Sequence, residues 1–328
     1  MSRPPLLVKA AKEIWNCEWN ILMNGLAPSD SKGNYKRPKN LQPEIKIPTK
    51  EDLEDRDMDQ MPYLIVGQSC PWAHRVWIMH EIKGLKTTIN LNIAQVNTSS
   101  GRWIFEPNLK GCKTLQELYK KCNVAKIKKA TVPMLFDPGK KAKSQFRLIN
   151  NESADLLEIL NEWPVNTNNI DFNPKIHNKK IFNWQNLIQE NINNGVYKCG
   201  FARNQESYEK ASNNLFKKLD EIDQLIQNSG GPWIFGNKLT YADLYLFPTI
   251  IRWELIYSKL FKCTQKEISE YKNILKWRVN FYKLQGIPET CFEKQWLYEY
   301  YQGLFPLNPN QIVPLQQKLK DIINRNVE

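Results

Sequence analysis

Cys70 is the side chain on which chemistry would turn. The run Cys70-Pro71-Trp72-Ala73-His74-Arg75 follows Tyr63-Leu64-Ile65-Val66-Gly67, which reads as a short buried strand. After it, Trp72, Val76, Ile78, Met79 and Ile82 recur at helical spacing, and proline suits a first helical turn. The thiol therefore stands where a strand hands over to a helix. Backbone N–H groups point outward there, and the helix dipole favours an anion. A thiol so placed is expected to titrate low and to be partly thiolate near neutrality, the form that attacks sulfur. Arg75, about one turn further on, would add positive field. A dithiol oxidoreductase would carry cysteine at position 73, where this chain has Ala73. A mixed disulfide on Cys70 would then need an external thiol to resolve it, and glutathione is the cytosolic candidate. The plainer alternative is a buried structural cysteine, but a core cysteine rarely precedes proline at a strand–helix junction. His74 fits packing and catalysis equally well.

Glutathione carries two carboxylates and an ammonium on extended amides. In a thioredoxin-like domain, the residue before the third strand's proline offers backbone groups to such a peptide. Val132-Pro133 fits that place, and its X-Pro bond is a candidate for the cis form. Glu152-Ser153, at the start of a helix, supplies an acid for the ammonium and N–H donors for a carboxylate. Plain capping of that helix by Asn150 or Asn151 is the competing reading. Thr240-Tyr241-Ala242-Asp243 has the capping-box form and reads as structural.

The elements that must position these residues come in two blocks. Strands are expected at 63–67, 88–96, 132–137 and 146–149, with helices at 71–85, 114–122 and 151–162, and an irregular region opening at Trp103. That order is the layout of a thioredoxin-like α/β domain, over 61–164. Asn-rich Pro164–Pro174 is the expected linker. From 175 to 328 the period is helical throughout, so an all-α domain follows. Residues 1–60 read as an arm: a short helix over Leu6–Met23, then an extended segment that is wrapped or partly disordered. Docking of the arm would bury Trp15 and Trp19.

The 328 residues suffice for two cores. No apolar run approaches a membrane span, and the apolar stretch Leu6-Leu7-Val8 is too short for a signal peptide. A cytoplasmic protein is expected. The cysteines at 17, 70, 112, 122, 199, 263 and 291 contain no CxxC pair, and His74, His80 and His177 are the only histidines. Reduced thiols and no metal are expected. Of the net charge of +12, part is local. Lys110, Lys113, Lys120, Lys121, Lys126, Lys128 and Lys129 crowd a stretch whose only acid is Glu117. It reads as a solvated face; without stacking aromatics, no nucleic-acid or membrane partner is expected.

Taken together, these residues resemble the Xi-class glutathione transferases, the glutathionyl-hydroquinone reductases, from about Tyr63 to Pro314. The hexapeptide 70–75 is similar to the class's active-site signature, and Thr131-Val132-Pro133 and Asn150-Asn151-Glu152-Ser153 to its glutathione-binding segments. Asn193-Asn194-Gly195-Val196-Tyr197-Lys198 with Gly200-Phe201-Ala202, Leu239–Asp243, Ile251-Arg252-Trp253, and Tyr300-Tyr301 with Asn308-Pro309 and Ile312-Val313-Pro314 follow in order. The chain departs from the class at Arg102, where glycine usually precedes the tryptophan, and at Glu299, where histidine is common. The resemblance implies a glutathione-transferase fold: an α/β thioredoxin-like domain and then an all-helical one, which carries the dimer contact of a homodimer. It implies Cys70 as nucleophile, with Tyr197 and Tyr300 acting on the phenolic substrate. It also implies that Trp103, Thr131, Val132, Pro133, Glu152 and Ser153 bind glutathione. The implied reaction removes glutathione from aromatic conjugates through a Cys70–glutathione mixed disulfide. For Trp103 and Tyr197, simple packing is the alternative.

Other functions remain open on sequence alone: a thiol transferase acting on other glutathione mixed disulfides, a non-catalytic transferase-like binding module, or a conjugating transferase. A binding module has no need of a reactive cysteine. Conjugating enzymes activate glutathione with serine or tyrosine instead.

Overall fold

A computed structural model describes residues 6–37, 47–97, 100–124, 129–140, 145–165, 168–175 and 178–325; Lys126, Lys128 and His177 lie outside them. The chain opens with α1 (Leu6–Leu26), longer than the apolar spacing suggested, and a single turn α2 (Lys50–Leu53). Only Met23 of α1 is buried. Trp19 does dock: its Nε1–H donates to the Pro306 carbonyl at 3.0 Å, and the Arg203 guanidinium covers its ring. Trp15 does not dock and stays 41 % exposed; residues 6–18 of α1 are exposed throughout, and burial begins only at Trp19 and Met23.

The α/β block follows the expected order. It runs β1 (Tyr63–Gly67), α3 (Pro71–Ile82), β2 (Asn90–Asn97), β3 (Arg102–Leu109), β4 (Cys112–Thr114), α4 (Leu115–Lys121), β5 (Met134–Asp137), β6 (Arg147–Asn150) and α5 (Ser153–Asn161), and its strands form one sheet, ordered β4-β3-β2-β1-β5-β6. β1 and β2 are parallel, and the other pairs are antiparallel. β1 is apolar and buried after Tyr63 because the sheet is covered on both faces there. The region from Trp103 is a strand, not irregular chain. Pro107 inside it hides the strand pattern, since proline removes a ladder donor, and the β3–β4 register shifts between Ile104 and Leu109.

Beyond the junction the chain is helical: α6 (Asn178–Leu187), α7 (Asn194–Gly200), α8 (Gln205–Gln227), α9 (Tyr241–Ile250), α10 (Lys272–Tyr282), α11 (Glu293–Gly303) and α12 (Leu319–Arg325). Two π-helical turns interrupt it, Ile188–Asn193 just before α7 and Trp253–Tyr257 after α9. α9 is buried along its whole length. Its N-terminus is fixed by Asp243, whose carboxylate accepts from the Thr240 N–H and hydroxyl, the Ile234 N–H and the Trp277 indole. Thr240–Asp243 is thus structural, as the capping-box reading holds.

The two blocks are firmly joined. Lys83 on the turn after α3 donates to the carbonyls of Asn161 and Ile170 at 2.8 and 2.9 Å, and Phe172 is fully buried. The linker is thus anchored at Ile170 and Phe172, while Pro164, Asn168, Asn169, Asp171 and Asn173 stay exposed. Several lysines of the basic stretch have local work: Lys121 donates to the Lys110 carbonyl and lies over Phe146, and Lys129 donates to Gly25 at the end of α1.

Candidate active site

Where β1 ends and α3 begins, a cleft of about 200 Å³ is lined by Arg37, Cys70, Trp72, Trp103, Thr131, Val132, Pro133, Asn151, Glu152 and Ser153. Every residue expected from sequence to bind glutathione lines it. The Val132–Pro133 bond is cis. Gly67 makes room for Trp103: a Cβ at position 67 would lie 2.4 Å from the indole ring. Glu152 sits at the N-cap of α5 without a capping bond from its side chain, while Asn150 Oδ1 accepts the Glu152 N–H at 2.7 Å. Trp72 Nε1, Thr131 Oγ1 and Asn151 Oδ1 are buried with no hydrogen-bond partner. Buried polar atoms are almost always bonded, so three such atoms around one cleft fit a polar ligand with amides to offer. A larger hollow of about 590 Å³, between the arm and α7–α8, holds none of these residues.

Cys70 is the N-cap of α3, and its Sγ accepts from the Ala73 N–H at 3.5 Å. The thiol also reaches the Val132 carbonyl at 3.6 Å. The expectation of a low-titrating thiol is corrected here. Burial pushes Cys70 above the ordinary thiol value, against the downward pull of the Ala73 and Trp72 N–H groups and of Arg37 and Arg252. Desolvation of the anion outweighs the helix end in the unliganded chain. The expected source of positive field is corrected too. Arg75 turns away to Gln189 and the Tyr245 ring, at 2.9 and 4.0 Å. Position 73, where α3 would carry a second thiol, is a fully buried alanine. Among the described residues all seven cysteines are free, and no cluster of three or more metal-ligating side chains occurs.

The helical block meets the cleft with phenols. The Tyr197 and Tyr300 hydroxyls are 2.6 Å apart, and Tyr257 joins at 3.2 Å from Tyr300. Trp72 bridges to them, its ring centroid 5.0 Å from that of Tyr197. Burial, above all, pushes Tyr197 and Tyr300 well above the ordinary phenol value, so both stay protonated and able to donate. Tyr257 was not legible in the sequence; it comes into the cluster from the end of a π turn, a distortion that often marks functional positions.

Helical residues also grip the loop that carries the thiol. Arg252 and the Trp296 indole both donate to the Gln68 carbonyl, at 3.2 and 2.9 Å, and Glu299 accepts from the Ser69 hydroxyl. Arg252 further donates to His74 Nδ1 at 2.8 Å. A guanidinium can only donate, so Nδ1 is the acceptor and Nε2 carries the proton, which it gives to Thr290 Oγ1 at 2.8 Å. Burial and Arg252 hold His74 neutral, well below its usual range. His74 is therefore a strut between the blocks, fully engaged at both nitrogens.

This architecture defines a class. Models of the glutathione S-transferase N-terminal and C-terminal domains match residues 69–163 and 205–278. The glutathionyl-hydroquinone reductase PcpF of Sphingobium chlorophenolicum is 32% identical over 262 residues, covering 77% of this chain and 82% of its own. The Xi glutathione S-transferase of Phanerochaete chrysosporium superposes with a TM-score of 0.77 at 27% identity, over 88% of this chain and 94% of that one. The glutathione-bound structure of YqjG from Escherichia coli K-12 gives 0.69 at 31% identity, over 79% and 85%. The chain belongs to the glutathione transferase family, and within it to the Xi-class, glutathionyl-hydroquinone reductase group.

Proposed function

We propose that this protein is a glutathionyl-hydroquinone reductase, in which residues 61–164 bind glutathione and residues 175–328 receive the aromatic part. One observation carries the reading: the Cys70 sulfur caps α3 inside the cleft, and position 73 holds alanine. Cys70 attacks the sulfur of an aromatic glutathione conjugate. A sulfur–sulfur bond forms, the aryl carbon–sulfur bond breaks, and the ring carbon takes up a proton. Because the resting thiol is protonated, the proton it loses balances the one the ring gains. The Tyr197–Tyr300 pair supplies hydroxyl donors at the phenolic end. A second glutathione, as its thiolate, then attacks the mixed disulfide, releasing oxidised glutathione and restoring Cys70.

The names of PcpF and YqjG support the substrate class, and the aromatic cluster beside the thiol favours phenolic conjugates over protein mixed disulfides. Glutathione is the only co-substrate in this reading, with no metal. The enzyme is taken to act in the cytoplasm as a homodimer through the helical block, which sedimentation velocity would check. Steady-state turnover of a panel of glutathionylated aromatics and mixed disulfides tests the mechanism. Cys70→Ser should lower kcat/KM by about a thousandfold or more, with circular dichroism unchanged. Substantial turnover by that variant would remove the mechanism, and a preference for non-aromatic disulfides would move the substrate class.

A further inference from the structure

Arg37 belongs to the N-terminal arm, for which the sequence offered no role. Among the described residues it is the one cation that lines the cleft. Its guanidinium lies 3.5 Å above the Trp72 ring, and no carboxylate among the described residues lies within ion-pair reach of it. The arm that carries it is seated on the helical block. The Lys32 carbonyl accepts from the Ser207 hydroxyl and the Asn204 amide, at 2.8 and 3.1 Å, and the Gly33 carbonyl from the Arg203 N–H at 3.2 Å. Gly33 has φ +84°, and a Cβ there would meet the Asn204 amide at 2.7 Å, so a bulkier residue would lift the strap. Tyr35 packs edge-on against Phe201, 5.3 Å between centroids, two residues before Arg37. The arm thus crosses from the helical block to the mouth of a cleft cut into the sheet block.

Charge matching says what Arg37 is for. Glutathione brings one ammonium and two carboxylates. Glu152 is the one acid among the described lining residues, and its charge suits the ammonium. The N–H groups at the start of α5, beside Ser153, suit the carboxylate on the same γ-glutamyl residue. The second carboxylate, on the glycyl end, is left with Arg37 as its cation among the described lining residues. We infer that Arg37 binds the glycyl carboxylate of glutathione and that the arm is thereby part of the active site. This rests on the glutathione reading of the cleft. Arginine presents a planar fork suited to a carboxylate, and stacking on Trp72 fixes that fork in place.

The test uses binding rather than turnover, so it is separable from the Cys70 mechanism. In full-length protein carrying Cys70→Ser, calorimetry measures glutathione and its glycyl monoethyl ester, which lacks the second carboxylate. The Cys70→Ser chain should bind glutathione about tenfold or more tightly than the ester, the scale of one charge-assisted bond. Adding Arg37→Ala should weaken glutathione by that factor and leave the ester nearly unchanged, so the preference collapses. Arg37→Lys should keep part of it. Equal weakening of both ligands, or no weakening of either, overturns the assignment. If the Cys70→Ser chain binds neither ligand, the glutathione reading of the cleft itself fails.

Discussion

The two walls of the candidate active site are built by different means. The sheet wall is made largely of backbone: a strand end, a cis proline, two helix starts, and three side-chain polar atoms left without partners. The helical wall is made of side chains that satisfy one another, with three phenol hydroxyls in a row and Phe201 and Phe261 against Tyr197. The first wall leaves polar atoms at the cleft unpaired, whereas the three hydroxyls of the second pair with one another. Substitutions in the sheet wall should therefore act on glutathione. Those in the helical wall should act on stability or on the chemical step.

The largest effect expected lies deep in the helical block. Asp243→Ala strands the Ile234 and Thr240 N–H groups and the Trp277 indole, all buried. It should cost about 3 kcal/mol or more of unfolding free energy, read by urea titration. Enzyme that stays folded should keep its affinity for glutathione; a matching loss of affinity would break the distinction between the walls. Tyr300→Phe removes the central hydroxyl of the row and should lower kcat by about a hundredfold, with KM for glutathione little changed. An equal change in both would assign the tyrosines to packing. Gly67→Ala forces Trp103 off its seat and should raise KM for glutathione by about tenfold while the melting temperature moves little, since one ligand wall is lost. A large fall in stability instead would show that the sheet wall is also a packing device.

The smallest effect concerns pH. Burial raises Cys70, so at neutral pH the thiolate fraction is low and alkylation slow. Labelling should keep accelerating as pH rises past the ordinary thiol value. The same sign holds for folding: the native state keeps this proton longer than the unfolded chain, so Cys70's contribution is present below the ordinary value and lost as pH climbs. Labelling of unliganded enzyme that levels off near neutrality would contradict it.

Legibility in the sequence follows the same divide. Cys70, Val132-Pro133 and Glu152-Ser153 were readable because strand exits and helix starts are local, and their punctuation is local too. The charge on the thiol was misjudged because desolvation depends on what packs over it, which spacing does not contain. Arg37, Tyr257 and Arg252 reach the site from distant segments, with no motif around the first two to announce them. β3 was missed because Pro107 interrupts its pattern. Glu299 stands out in the sequence as a departure from the class, but only the fold shows that it holds Ser69, beside Cys70.

The account rests on Cys70 taking glutathione from a donor and giving it up to a second glutathione. Mix the enzyme with a glutathionyl-hydroquinone, quench it, and read intact mass and peptide map before and after adding free glutathione. One glutathione should sit on Cys70 and then leave as oxidised glutathione. An adduct on exposed Cys17 or on Cys291, or no adduct while hydroquinone is still released, would contradict it.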